Sequence, residues 1–207
     1  MLTMRVSYLV LMIALLAGCA GTPPSVDKES PPQGTVTKGL IEPGMSDAIA
    51  ALNDGKPIVA EALLRGTIQR HPQAAMPWVN LGLIQFRRGE WGQAQRAAQK
   101  ALELQPQTAA ADYLLGLIAH QQDDAPRAYK HYQTALEKDQ QHAATHYNLA
   151  LLYDTYYQNI DQAVVHYRHY LGLISHEDKE TLSWLNELEA QLESNEADTQ
   201  EARRDES

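Results

Sequence analysis

Histidine is the residue type whose spacing in this sequence could most readily support chemistry. His142 and His146 stand four positions apart, and His166 and His169 stand three apart, with aspartate and glutamate nearby. On a helix either spacing places two imidazoles on one face, where they could bind a metal ion. Both pairs lie in segments whose apolar positions already account for helix packing. We therefore interpret them as solvated surface side chains and predict no metal site.

Sequence motifs of catalysis are absent from the chain. It has no zinc-protease histidine pair with an intervening glutamate, no glycine-rich phosphate loop and no serine elbow. Scattered carboxylates such as Glu187 and Glu189 fit an exposed helix face. The formal net charge of −9, without a basic run, disfavours nucleic acid as a partner. We predict that the protein is not an enzyme and that it needs no cofactor or small-molecule substrate.

Cys19 is the only cysteine, and its surroundings predict a covalent modification. The apolar run from Val6 to Leu16 is shorter than the about 20 residues that a spanning helix needs. It ends in Leu16-Ala17-Gly18-Cys19, which resembles the lipobox of bacterial lipoproteins, in which the cysteine receives the lipid. This resemblance implies a signal peptide over residues 1–18 and a lipid anchor on Cys19. Ala20 is not the aspartate typical of inner-membrane retention, so we expect a periplasm-facing anchor in the outer membrane.

The segment 19–44 differs in composition from the rest of the mature chain. It contains five prolines and four glycines, so it cannot bury enough apolar area to fold by itself. We interpret it as a tether between the lipid and the folded domain, which we place at residues 45–192.

The sequence of this domain repeats every 34 residues. One column of the repeat is apolar and another is alanine, and the members are Ile49, Leu83, Leu117 and Leu151, then Ala60, Ala94 and Ala128. The period places repeats near residues 41–74, 75–108, 109–142 and 143–177. A period of this length predicts stacked supersecondary units that bury one continuous core.

The second copy carries the clearest signature, with Trp78, Leu81, Gly82, Gly89, Ala94, Ala101 and Pro106. This pattern is similar to that of the tetratricopeptide repeat. The resemblance implies an all-α fold, a right-handed α-solenoid of about four helix-turn-helix repeats plus a C-terminal capping helix. Independently of the family, a small residue at Gly82 suits a close helix crossing, and Gly89 suits a left-handed helix end.

The later copies depart from the pattern. Asp112 stands in the tryptophan column of the third copy, and the fourth copy carries an inserted residue in the turn over residues 156–161. Ser175 with Asp178 predicts a helix start, and leucines at helical spacing predict a cap helix over 178–192. The polar segment 193–207 is expected to be a disordered acidic tail.

The resemblance also implies where a partner would bind. The first helix of each tetratricopeptide repeat lines the concave side, and the residues expected there are Val79, Asn80, Leu83, Tyr113, Leu117, Tyr147, Asn148 and Leu151. Asn80 and Asn148 occupy places where family members use an amide to bond the backbone of a bound peptide. The other columns are apolar or aromatic and lack the lysine and arginine of the family's carboxylate clamp. We therefore expect an amphipathic helix or an extended apolar segment as the guest.

Signal, lipobox and repeats together resemble the tetratricopeptide lipoproteins of Gram-negative envelopes, which include the pilotins of type IV pilus secretins. The resemblance implies a membrane-anchored periplasmic scaffold that binds a protein partner and assists assembly of an envelope complex. Two other assignments stay open: an accessory lipoprotein of an energy-transducing or motility complex, and a regulator of cell-wall synthesis. A homodimerising structural module, with the groove filled by its own cap helix, is a further alternative.

Overall fold

The computed structural model describes residues 44–175 and 178–205, so the predicted signal peptide, the anchor at Cys19 and almost all of the tether lie outside the described residues. The described part is built from helices, and the expected all-α solenoid is confirmed. The helices are α1 Met45–Asn53, α2 Pro57–Arg70, α3 Met76–Arg87, α4 Trp91–Leu104, α5 Ala109–Gln121, α6 Ala125–Lys138, α7 Ala143–Leu152, a π-helical turn Tyr153–Tyr157, α8 Ile160–Leu173 and α9 Lys179–Asp205. Each odd-numbered helix from α1 to α7 packs mainly on the helix that follows it, and successive pairs stack.

The turn inside each helix pair uses one left-handed residue. These residues are Gly55 (φ 69°), Gly89 (φ 74°), Asp123 (φ 57°) and Gln158 (φ 51°). The first three are separated by 34 residues, as the sequence period requires, and the fourth comes one residue late. Glycine adopts this conformation without steric cost, whereas aspartate and glutamine do not. The left-handed turn predicted at Gly89 is therefore confirmed, and it recurs in every pair.

The inserted residue of the fourth copy is absorbed by a change of helix type. After Leu152 the chain widens into the π-helical turn Tyr153–Tyr157 before Gln158 reverses it. A π-turn holds one more residue than an α-turn, so the insertion is accommodated without breaking the stack.

Small residues allow the helices to approach closely where they cross. The alanine column Ala60, Ala94, Ala128 and Ala163 is fully buried. A Cβ atom on Gly82 would lie 2.6 Å from Leu114 Cδ2 and 3.2 Å from Ala97 Cβ. The predicted role of Gly82 as a crossing residue is confirmed, because a side chain there would displace Leu114 of α5 and crowd Ala97 of α4.

Asp112 is a buried charge in the third pair, at the place that tryptophan occupies in the second. Its carboxylate accepts a hydrogen bond from Lys138 Nζ, and His131 Nδ1 lies 3.8 Å from it. Burial alone raises the pKa of the Asp112 carboxyl, but the bonds with His131 and Lys138 outweigh burial and lower it. An ion pair within the repeat thus replaces the apolar contact of Trp78.

The last helix begins and ends differently from the sequence-based expectation. Asp178, not Ser175, caps α9: its carboxylate accepts hydrogen bonds from the Thr181 backbone (3.0 Å) and hydroxyl (2.7 Å) and from Tyr170 Oη (3.0 Å). Ser175 instead has a positive φ of 59°. Carboxylate oxygens are good acceptors for the unpaired N–H groups of a helix start, and here one cap also joins α9 to α8.

The first half of α9 covers the end of the stack, as expected of a cap. Leu185 is buried against α8, and Leu182, Leu188 and Leu192 pack around it. The expectation of disorder from residue 193 is wrong for 193–205, because α9 continues to Asp205. That stretch has no glycine or proline and contains three glutamates, two alanines and two arginines, so it extends a helix that is already nucleated by packing.

Candidate protein-binding groove

The first helices α3, α5 and α7 carry the eight residues predicted to bind a partner. Two asparagines tie neighbouring first helices together. Asn80 Nδ2 donates to Met76 O (3.0 Å) one turn earlier and lies 3.9 Å from Met45 Sδ. Asn148 Nδ2 likewise donates to Ala144 O (2.9 Å) and to Tyr113 Oη (3.3 Å). Each amide therefore spans two repeats and fixes the spacing of the helices that form this face.

The structure divides the eight predicted groove residues into two sets. Val79, Tyr113, Asn148 and Leu151 are buried, with 1%, 8%, 4% and 4% of their surfaces exposed. Their expected place on an open groove surface is corrected: they pack between helices, because a first helix in this stack contacts both of its neighbours. Asn80, Leu83, Leu117 and Tyr147 are half-buried and keep part of the side chain accessible.

Tyr113 lies at the centre of the face and is held by aromatic and polar contacts. Its ring lies 4.9 Å from the ring of His142 and 6.1 Å from that of Tyr132, measured between centroids. Burial raises the pKa of the Tyr113 hydroxyl far above its usual range, although the hydrogen bond from Asn148 opposes this. The residue is therefore a neutral support for the face.

Tyr147 marks the end of the face nearest the cap. Its ring packs against Tyr170 at 5.1 Å and Tyr167 at 6.1 Å, both with tilted or edge-on geometry. Burial, reinforced by the nearby Asp178 carboxylate, raises the pKa of Tyr147 to about 12. Tyr147 thus packs against α8, in the same apolar cluster as Leu185 of the cap helix.

Met76 belongs to the same face and was missed by the sequence-based prediction. It is 42% exposed and stands four residues before Asn80 and seven before Leu83. The spacing i, i+4, i+7 puts the three on one stripe of α3, and this helical spacing is the signal that could have found it. With Leu117 on α5, Met76 and Leu83 form an accessible apolar stripe on this face.

Of the four predicted surface histidines, His169 is exposed, His142 and His166 are half-buried and His146 is buried. His146 is 7% exposed, and its Nε2 donates to Gln140 O (3.1 Å). Because a carbonyl oxygen only accepts, Nδ1 of a neutral His146 is an acceptor, and His166 Nδ1 donates to it across 2.9 Å. The ring of His169 stacks on His146 at 4.9 Å. The expectation of solvated imidazoles is therefore corrected for His146, which joins α7 to α8.

Burial lowers the pKa of His146, and it lowers that of His166 to about 4 with a contribution from the neighbouring histidines. Across the described ranges, no three histidine, cysteine, aspartate or glutamate side chains are arranged to hold a metal ion. Within the same ranges, no helix has the length and apolar character needed to cross a membrane.

Comparison with known proteins agrees with this architecture. The family model described as tetratricopeptide repeat matches residues 47–94 and 81–143. No curated protein matches the chain.

Three solved structures show the same fold at low sequence identity. The Cut9–Hcn1 hetero-tetramer of APC/C aligns over 70% of this chain at 20% identity, with a TM-score of 0.63, and this chain spans only 29% of the chain in that structure. MamA aligns over 66% of this chain and 79% of its own length, at 21% identity and a TM-score of 0.51. TTC0263, a thermophilic tetratricopeptide repeat protein of Thermus thermophilus, aligns over 72% and 81% at 17% identity, with a TM-score of 0.59.

Proposed function

We propose that this chain is a membrane-anchored periplasmic scaffold that binds a segment of a partner protein on the face formed by α1, α3, α5 and α7. Its residues 47–143 match the model of the tetratricopeptide repeat. Tetratricopeptide repeats are protein-interaction modules. The partner belongs to an envelope assembly such as a type IV pilus or its secretin. We assign the scaffold no catalytic role.

The observation that carries this proposal is the accessible apolar stripe of Met76, Leu83 and Leu117 beside the amide of Asn80. Apolar side chains that stay accessible on a stacked helical face favour burial against another protein. The supporting residues Val79 and Tyr113 are packed beneath, so the stripe is presented on a rigid layer. An amphipathic helix with apolar residues at i, i+3, i+4 and i+7 fits such a stripe.

The membrane anchor in this proposal depends on the sequence before the described residues. The tetrapeptide Leu16-Ala17-Gly18-Cys19 supports lipidation, and 24 residues separate Cys19 from Gly44, where the described chain begins. As a flexible chain, a segment of that length spans roughly 25 to 30 Å, which lets the repeats stand clear of the membrane.

A pair of groove substitutions tests the binding face. Leu83→Glu with Leu117→Glu places two carboxylates on the accessible stripe, where a bound apolar segment would leave them desolvated. Because both side chains are half-buried, we expect a modest loss of stability together with loss of the partner. The measurements are the melting curve by circular dichroism and recovery of crosslinked partners from intact cells.

The matched control carries the same charge change on second helices. Gln69→Glu with Gln99→Glu alters two exposed residues of α2 and α4 and should leave both melting and partner recovery unchanged. Equal partner recovery from the groove variant and the control would show that binding uses another face.

A further inference from the structure

A second candidate binding site lies on the opposite side of the stack from the groove. Helices α2 and α4 both pack on α3, and between them is a furrow of about 370 Å³. The floor is apolar, with Trp78 and Leu81 of α3, and the rim carries Arg65 of α2 with Arg96 and Lys100 of α4. The furrow is lined by three cationic side chains and by no acidic one.

The cations of the furrow are unequally neutralised. Arg65 donates two hydrogen bonds to Glu61 Oε1 (2.7 and 3.0 Å), and Lys100 pairs with the exposed Glu103 (2.9 Å). Arg96 is exposed and forms no ion pair with any described residue. In a chain of net charge −9 this is a local excess of positive charge, so the furrow is complementary to an anion.

Two lining residues also have unused hydrogen-bonding atoms. Among the described residues, neither Trp78 Nε1, a donor, nor Gln85 Oε1, an acceptor, has a partner, although both atoms are buried. Gln85 itself is only 5% exposed. Buried polar atoms normally find partners, and a peptide main chain supplies a carbonyl for the first and an N–H for the second.

The next repeat shows how this fold treats a carboxylate in that region. The residue 34 positions after Trp78 is Asp112, and its carboxylate is bound within the repeat by His131 and Lys138. In the second repeat the column holds Trp78, and Arg96 in the lining of the furrow forms no ion pair with a carboxylate of the described residues.

From these observations we propose that the furrow between α2 and α4 binds an acidic peptide segment of a partner protein, with a carboxylate on Arg96 and Lys100 and an apolar side chain on Trp78 and Leu81. The apolar floor favours a peptide over a bare phosphate group. This site is independent of the groove on the first helices.

The test uses the full chain in detergent, labelled with 5-fluorotryptophan. The three tryptophans Trp78, Trp91 and Trp184 give separate fluorine signals that Trp→Phe variants assign. The blocked peptide GLEELG should move the Trp78 signal with a dissociation constant of about 1 mM or tighter, and leave the other two signals in place. Its uncharged counterpart GLQQLG and inorganic phosphate should bind at least about tenfold more weakly.

A pair of matched charge reversals locates the site. Arg96→Glu should weaken GLEELG binding about tenfold or more, and Arg96→Gln should weaken it less. Lys130→Glu makes the same charge change at the equivalent position one repeat later and should leave the affinity within about twofold. Arg96 and Lys130 are exposed, and neither forms an ion pair with a described residue, so these variants should melt as the parent does.

Several results would overturn the inference. They are an unmoved Trp78 signal, equal binding of GLQQLG, an equal response to phosphate, or equal losses for Arg96→Glu and Lys130→Glu. The last result would show only long-range attraction between the peptide and the charge of the whole protein.

Discussion

Gly116 offers a quantitative test of the helix crossing in the third pair. In Gly116→Ala the new Cβ atom would lie 2.4 Å from Tyr132 Cε1 and 2.5 Å from Cδ1, against about 3.5 to 4 Å for an unstrained carbon contact. Tyr132 is fully buried among residues of α5, α6 and α7, so its ring cannot swing into solvent to relieve the overlap.

The magnitude results from two opposing effects. Overpacking a closed core costs about 1 to 3 kcal/mol, and overlap with two ring atoms places this site at the upper end. Replacing a helical glycine by alanine returns about 1 kcal/mol of helix propensity. The net expectation is a loss of about 2 kcal/mol, which lowers the melting temperature by about 4 to 8 °C for a domain of this size.

The control is the same substitution at Gly66 in α2, where a Cβ atom would meet nothing within 4 Å. Only the higher helix propensity of alanine acts at this site, so Gly66→Ala should stabilise the protein by about 1 kcal/mol. In a Tyr132→Leu background Gly116→Ala should lose most of its cost, because the clash partner is gone. Thermal and urea melts are recorded for the parent and for all four variants. A Gly116→Ala protein that melts at or above the parent temperature would refute the crossing geometry.

Three further predictions concern other parts of the chain. Asp123→Gly removes the strain of a positive φ of 57° and should stabilise the protein by about 0.5 to 1 kcal/mol in urea unfolding, and an unchanged midpoint would count against the left-handed turn. Folding lowers the pKa of His146, and it lowers the pKa of His166 to about 4. Below pH 6.5 the unfolded state therefore binds more protons than the folded state. The free energy of unfolding should be at its full value above pH 6.5 and should fall as the pH decreases toward 4. His166→Gln should flatten that decline relative to the parent in urea unfolding at successive pH values, and an unchanged slope would contradict it. Cys19→Ser should leave an uncleaved precursor without lipid label in a gel assay, whereas normal processing would exclude the lipoprotein assignment.

The repeat architecture could be predicted from the sequence because its determinants are local and periodic. The 34-residue step located the fully buried alanines, such as Ala94, and the left-handed Gly89. The inserted residue of the fourth copy was also visible as a break in the step, although its π-helical form was not. Each of these features depends on residue size or backbone freedom at one position, which a sequence pattern records directly.

Other features depend on which neighbour a side chain meets in three dimensions. The sequence placed Tyr113 on an open groove, but the adjacent first helix covers it and Asn148 bonds to its hydroxyl. His146 looked like a surface residue because its contact with His166 spans two helices. Asp178 caps α9 in place of Ser175 because the hydroxyls of Tyr170 and Thr181 both donate hydrogen bonds to the Asp178 carboxylate. Such choices between similar local options are settled by tertiary contacts.

The central claim is that a partner protein docks on the accessible stripe of the first helices, and site-specific photocrosslinking tests it most directly. p-Benzoylphenylalanine replaces Leu117 on α5 in one strain and the exposed Gln99 on α4 in another, and both are irradiated in intact cells. We predict a discrete adduct from position 117 that disappears in the Leu83→Glu background, and no such adduct from position 99. Adducts from position 99 alone, or the same adduct from both positions, would contradict the claim.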